Sequence, residues 1–440
     1  MQKYGMKKLP FCVVDGCMNP SSGFDNNRIK KVDKGVLLII DGLGDLPIPE
    51  LAGKTPLEAA HTPVLNRLAG SGWYGLVDPI IAGEIPNTHS GTGMLMGLLS
   101  DQADRLRRGP VEAAGAGRVL EPGDIAVRAN FASLERWQGG FRVLDRRAGR
   151  ITSGTDELAG LLNDMDLGDD IRGSLLPTDQ HRGALILTGP GLNASISDTD
   201  PGSKSMPARL KNCVALTPSA ELTASKINRF ISEAHQQLVD HPINIARARN
   251  GLQPANGILT RGAGSLFALD NSLHQQGIGV AVVTGCNTVR GLGRIFGFKA
   301  IVDPRFTATV NTDLRAKIAA VIASLQDHDM VYIHVKAPDI CSHDRQPLVK
   351  RDFLQRLDES LQPLLETGAV IAVAADHTTN SNTGFHTADP VPALICKPKP
   401  GHAGDPVKFG ESQCRRGNME RQLSGEFLSK VLQTMGYSSV

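Results

Sequence analysis

Long hydrophobic runs are missing from this 440-residue chain, and the longest core-like stretch, Ala369 to Ala375, is closed by an aspartate. A membrane span needs roughly 18 uninterrupted apolar residues, so an integral membrane protein is excluded as a reading. Net charge is almost absent, since 47 Lys plus Arg against 45 Asp plus Glu leave only +2. That balance gives no default affinity for nucleic acid or a membrane surface, and any recognition of anions has to come from local clustering. No CxxC pair occurs, and the seven cysteines (Cys12, Cys17, Cys213, Cys286, Cys341, Cys396, Cys414) are odd in number and scattered. A disulfide framework is therefore not expected, and a reduced, cytoplasmic setting is. The N-terminal lysines precede an apolar run of only a few residues without a convincing cleavage site, which points to a non-secreted protein. Aromatics are scarce at 4%, yet 41% apolar and 21% charged residues describe a soluble globular chain, long enough for two or three domains.

What is present has the order of an α/β protein. Val36 to Ile40 reads as a buried strand, and Thr55 to Gly70 has the apolar spacing of a helix ending in glycine. Near the C-terminus Met330 to Val335 and Ala369 to Ala375 read as strands, with an amphipathic helix from Leu348 to Leu361 between them and Pro347 at its start. Such alternation predicts a mostly parallel sheet flanked by helices. Between these portions, Asp104 to Arg182 holds twelve arginines and no lysine, and Thr217 to Asp240 reads as one long amphipathic helix. The expected organisation is an N-terminal extension (1–33), a first core half (34–103), an inserted domain (104–268) and a second core half (269–440).

Three carboxylates fall at or just after predicted strand ends: Asp41 in VLLIIDG, Asp339 in VYIHVKAPD and Asp376 in VIAVAADH. Ligands of open α/β sheets gather outside those ends. Five of the twelve histidines lie between His328 and His386, and His343, His377 and His386 keep company with the acids. Carboxylate plus neutral imidazole is a ligand set for divalent ions such as zinc or manganese. His328 and His334 lack a suitably placed acid and read as structural. Thr88, preceded by proline and polar residues and followed by an apolar helical run, falls at a helix N-terminus, where a phosphate or a developing alkoxide is favoured. On spacing alone the plainer reading, a helix cap, has the advantage.

Read in order, DGLGDLP, LAGKTPLEAAHTPVLNRLA, RRGPVEAAGAG, GDIAVRANFAS, DRRAGRI, DTDP, HPIN, PANGILTRGAG, VRGLGRIFG, HVKAPDICSHD, AADHT and HTADPVP resemble the archaeal-type cofactor-independent phosphoglycerate mutases of the alkaline phosphatase superfamily. The resemblance runs from about Lys34 to the C-terminus. It implies an alkaline-phosphatase-like α/β core with two divalent metals, usually manganese with zinc, magnesium or cobalt as options, and a mobile inserted α/β domain that holds the substrate. Asp41, Thr88, Asp376 and His377 then hold one ion, and Asp339, His343 and His386 the other. Arg128, Arg146, Arg147, Arg150 and Arg261 lie in family-like motifs and become clamp residues for a small phosphorylated or phosphonylated carboxylic acid, with His181, Arg182 and Lys336 beside them. Arg290 stands where the family usually carries a lysine beside the nucleophile. Thr88 becomes the nucleophile, and Asp145 the acid/base, with Asp198 and Asp200 as rivals.

The chain departs from the family where such mutases read S-D-T-A-H and this one reads Thr88-His89-Ser90-Gly91-Thr92, and again at Cys341-Ser342. The implied activity is a phosphoryl transfer through phosphothreonine on a glycerate-type phospho-acid. The altered motif keeps open a phosphonate- or phosphinate-analogue mutase or transferase of specialised metabolism. A phosphohydrolase, a homoserine kinase without a P-loop, and a non-catalytic scaffold are the further alternatives.

Overall fold

Apolar residues without alternation suit a strand covered on both faces, and Val36 to Ile40 are all buried. The computed structural model describes residues 32–202, 206–265, 269, 271–399 and 407–438, and places this run, Gly35–Ile40, inside an eight-stranded sheet. Residues 1–31 of the expected extension, with Cys12 and Cys17, lie outside the described residues, as does residue 268, the expected end of the insert.

The spatial order of the sheet is Lys299–Ile301, Val280–Val283, Met330–Val335, Gly35–Ile40, Val370–Ala374, Val391–Cys396, Trp73–Asp78 and Gln422–Leu423. All neighbours are parallel except Val391–Cys396, which runs against both of its own. Ile40 is registered with Val335, and Ile39 with Ala374. Three strands therefore end side by side, and the residues that follow them, from Asp41, Lys336 and Ala375 onward, share one edge. Helices Leu314–Ser324 and Ser424–Met435 pack against the sheet.

One sequence expectation needs correcting. Thr55 to Gly70 is not a single helix but two, Pro56–Ala59 and Pro63–Gly70. Pro63 has no N–H to continue the first helix, and Ala60 turns extended. The helix expected from Leu348 runs Pro347–Ser360, and the long amphipathic one runs Glu221–Leu238 after a short 3-10 turn at Pro218–Ala220.

A second sheet, wholly antiparallel, is built from segments between Ile125 and Ser265. Its spine is the 13-residue strand Ile125–Trp137, flanked by Arg182–Thr188 and Gly257–Ser265. Strand alternation sends Ile125, Val127, Ala129 and Phe131 into a core with Ile227, Phe230 and Leu238 of the long helix. Ala126, Arg128 and Asn130 take the opposite face, where Ala126 meets Ala113 of helix Arg108–Gly115. That helix also packs on Asn287–Ile295 of the first body, and so joins the two.

Beneath the loop that follows Asp41 lies a buried polar network. Lys350 Nζ donates to Asp45 Oδ2 at 2.8 Å, and Glu411 accepts from Thr55 Oγ1 at 2.6 Å and from the Asp45 N–H at 3.0 Å. Burial pushes the Glu411 carboxyl up to about 7, above its ordinary 4.5. The folded chain thus holds this proton more tightly than the unfolded one. Its contribution is complete below pH 4.5 and is lost as pH rises to about 7. Unfolding titrations at pH 5 and pH 8 are expected to differ by up to about 3 kcal/mol from this group, and Glu411→Gln to flatten that difference. An equally steep profile in the variant would assign the dependence elsewhere.

Candidate active site

Lys336 is the first residue after strand Met330–Val335, and its register beside Gly35–Ile40 carries its ammonium to Asp41. Lys336 Nζ lies 2.8 and 2.9 Å from the two Asp41 oxygens, 2.7 Å from Asp339 Oδ2 and 2.9 Å from Thr88 Oγ1. Burial opposes its charge, yet Asp339 and Asp41 hold the ammonium above its ordinary range. Burial likewise raises the Asp41 carboxyl, but the Lys336 ammonium and the hydrogen bond from His334 override it and keep the group below the usual carboxylate range. Asp376 moves the other way, raised by burial and by the neighbouring Asp41.

Two ligand groups converge here, Asp41 with Asp376 and His377, and Asp339 with His343 and His386, each with donor atoms within 4.8 Å of one another. Hydrogen-bond logic tests whether they suit a cation. His343 Nδ1 lies 2.7 Å from Gly384 O, and His386 Nδ1 3.0 Å from Pro86 O. A carbonyl only accepts, so each Nδ1 carries the hydrogen and each Nε2 presents a lone pair. Those Nε2 atoms are 3.2 Å apart, and 3.3 and 3.4 Å from Asp339 Oδ1. Three acceptors facing one another without a proton are what a divalent cation satisfies.

Thr88 opens helix Thr88–Leu95 as its first residue, and the cap is Asn87, not Thr88. Asn87 Oδ1 accepts from the His89 and Ser90 amides, so two of the N–H groups expected to be free for an anion are already used. Thr88 Oγ1 is 3.5 Å from His377 Nε2. The helix lies so close to the Asp376 loop that a Cβ at Gly91 would overlap the Asp376 carbonyl oxygen. One turn on, Thr92 Oγ1 donates to Asp376 Oδ2 at 3.3 Å.

Above Thr88 opens a cavity of about 790 Å³. Arg128, Arg147, Arg150, His181, Arg182, Arg261, Arg290 and Lys336 all line it, and so does Arg108, which sequence reasoning missed. Strand register explains the gathering, because Arg128 is opposite Arg261, and Asn130 opposite Arg182. Glu112, buried and also missed, faces Arg128 Nη1 at 3.2 Å and accepts from Asn287 Nδ2 and Thr288 Oγ1. The Nε atoms of Arg108, Arg128, Arg182 and Arg261 are buried without a hydrogen-bond partner among the described residues. Burial, then Arg261, pushes Arg108 down to about 10, and burial, then Arg182, pushes His181 down to about 2. Burial with Arg108 and Arg128 likewise takes His89 down to about 3, leaving it a neutral imidazole beside the threonine.

Several sequence candidates are held by other partners. Arg146 does not line the cavity, since a bidentate pair with Asp200 at 2.7 and 2.6 Å holds it. Arg150 reaches across to Asp344. Arg290, expected beside the nucleophile, is turned back onto Gly115 O at 2.7 Å and Asn287 Oδ1 at 2.8 Å, and the cation that touches Thr88 is Lys336. Asp145, Asp198 and Asp200 are not among the cavity residues; Asp145 accepts from the Arg147 amide and Asp198 from that of Gly262. Asp179 does line it, with its carboxyl raised by burial. His334, read as structural, is bonded to Asp41 Oδ2 at 3.0 Å. Its missed signal was position, two residues before Lys336 on a strand that abuts Gly35–Ile40.

A family model described as 2,3-bisphosphoglycerate-independent phosphoglycerate mutase matches residues 69–244. A Methanopyrus kandleri protein of that name is 37% identical over 418 residues, covering 93% of this chain and 98% of its own. The chain belongs to this mutase family. An Archaeoglobus fulgidus relative with the same family name is 38% identical over 407 residues, covering 90% of this chain and 97% of its own. Among solved structures, one from Pyrococcus horikoshii aligns at a TM-score of 0.75 with 29% identity, covering 93% of this chain and 99% of that one. A cofactor-independent phosphoglycerate mutase from Thermoplasma acidophilum aligns at 0.62 with 30% identity, covering 92% and 100%. No helix among the described residues is long and apolar enough to cross a membrane.

Within this mutase-family fold the Arg128–Glu112 pair is buried on both sides, and removing one partner of such a pair strands the other charge. Glu112→Gln is expected to cost about 3–5 kcal/mol in urea unfolding. An unchanged midpoint would mean that Arg128 is neutralised by other groups.

Proposed function

We propose that the chain is a metal-dependent phosphoglycerate mutase that moves a phosphoryl group between the 3- and 2-positions of glycerate through a phosphothreonine at Thr88. The observation that carries this reading is Thr88 Oγ1 at 2.9 Å from the Lys336 ammonium, between two ligand groups and below a cavity walled by guanidinium groups. Asp41, Thr88, Asp376 and His377 would hold one divalent ion and Asp339, His343 and His386 the other, manganese first among zinc, magnesium and cobalt. Bound there, such ions supply Lewis-acid charge that favours an ionised threonine and offsets phosphoryl charge.

The chain's own groups do the rest. Lys336 donates to Thr88 Oγ1 and stabilises the developing alkoxide. The ionised Thr88 Oγ bonds to phosphorus as the ester O–P bond breaks, and the departing glycerate oxygen takes up a proton. Arg108, Arg147, Arg182 and Arg261 hold the carboxylate and phosphoryl oxygens by planar forks, so the glycerate turns without leaving. Its other hydroxyl then attacks phosphorus, gives up its proton, and frees Thr88. Asp179, the acid with a raised carboxyl in the cavity, is our assignment for the proton shuttle, in place of Asp145. Relatives named as mutases over nearly the whole chain favour this reading over the phosphonate-analogue and hydrolase alternatives. No nucleic-acid or membrane partner is proposed, and a cytoplasmic setting accords with this chemistry.

With manganese, purified protein is expected to interconvert 3- and 2-phosphoglycerate without releasing inorganic phosphate; release of phosphate alone would overturn the mutase reading. Thr88→Ala should lose turnover while keeping its circular dichroism and thermal midpoint, and unchanged turnover would remove Thr88 from the mechanism. Lys336→Met is expected to lower kcat by about 10²–10³, the usual loss for one donor to a developing oxyanion.

A further inference from the structure

His377 and Asp339 belong to different ligand groups, the first with Asp41 and Asp376, the second with His343 and His386. One buried hydroxyl is bonded to both, as Lys336 is to Asp41 and Asp339. Thr379 Oγ1 lies 2.9 Å from Asp339 Oδ1 and 2.9 Å from His377 Nδ1. A carboxylate only accepts, so the one hydroxyl proton goes to Asp339, and the hydroxyl oxygen takes the Nδ1–H of His377. His377 Nε2 is thereby left as a lone pair, 3.3 Å from Asp41 Oδ1 and 3.4 Å from Asp376 Oδ2. The same hydroxyl occupies one position on Asp339 Oδ1, the oxygen that His343 and His386 also face.

The surroundings fix Thr379 in this place. Its N–H donates to Gly44 O at 3.0 Å, tying it to the loop after Asp41. Its strand, Thr378–Asn380, pairs with Phe385–Thr387 in a register that sets Thr379 directly opposite His386. Gly42 leaves the room: its φ is +63°, and a Cβ there would lie 2.8 Å from Thr379 Oγ1 and 2.9 Å from the Asp339 Cα. Thr379 is thus joined by hydrogen bonds to one ligand of each group and by strand pairing to another.

We propose that Thr379 is a positioning residue that couples the two candidate ion sites, so that they fill as a pair and not independently. This coupling rests on the metal-dependent function proposed above. An ion that orders Asp339 fixes the hydroxyl in the orientation that His377 requires, and an ion on His377 Nε2 does the converse. Ordering done by the first ion is then not repeated for the second, which is a coupling free energy between sites. A threonine that only satisfied buried hydrogen bonds would alter stability and leave each ion constant where it was.

Metal-free protein titrated with Mn²⁺ by calorimetry tests this, with wild type, Thr379→Ser and Thr379→Val compared. Wild type and T379S are expected to take two ions cooperatively. T379V is expected to bind both about ten-fold or more weakly, and without cooperativity. Wild-type constants in T379V, or a loss confined to one site, would overturn the coupling and leave the metal reading standing. A wild-type protein that binds no divalent ion would overturn both. A second measurement needs no variant: nitrogen NMR of the metal-free wild type should show His377 with its hydrogen on Nδ1, and an Nε2–H form would overturn the proposal.

Discussion

One buried ammonium organises the candidate site. Lys336 touches Asp41, Asp339 and Thr88 at once, and no two of these three lie close in the sequence. A cation enclosed in this way is tolerated only if its partners arrive with it. The parallel sheet is what delivers them. Since Val335 pairs with Ile40, the residues after each strand are neighbours, and a slip of one residue would aim Lys336 and Asp41 past one another. His334 adds an N–H to Asp41 from the same strand, so one short element supports that aspartate twice.

The second body answers with charge of one sign. Its strand register sets Arg128 against Arg261, an unfavourable neighbourhood unless an anion stands between them. Glu112 offsets only part of this, and it does so while bonded to Asn287 and Thr288 of the first body. The same carboxylate therefore both tempers the arginine cluster and ties the helix that carries it to the core. What is left over is positive potential facing the threonine, suited to a small anion with several charges.

Much of this was legible in the sequence. Apolar runs gave the strands and their ends, and with them Asp41 and Asp376, because a buried parallel strand leaves little else for its residues to be; Asp339 follows its strand by four residues, within helix Ala337–His343. The two-helix break at Ala60 was hidden because apolar spacing continues across Pro63, and only the missing N–H interrupts the ladder. Arginines were harder to read. Arg146 and Arg261 look alike in composition, yet one is spent on Asp200 and the other faces the cavity, a difference set by side-chain direction that spacing does not encode. Arg290 was drawn to the wrong neighbour for the same reason. His334, Glu112 and Thr379 were missed because their partners are distant along the chain or belong to another strand. Residues that act by orienting others leave no local motif.

Gly91 limits what the motif around it can become. A side chain at position 91 would meet the Asp376 carbonyl oxygen, so the helix bearing Thr88 and Thr92 rests directly on the loop. The contacts of Thr88 and Thr92 therefore depend on the absence of a side chain at Gly91. An alanine at 91 alone would push the helix off the loop and carry both threonine hydroxyls away from His377 and Asp376. The spacing of one helix against one loop thus sets which residues this stretch admits.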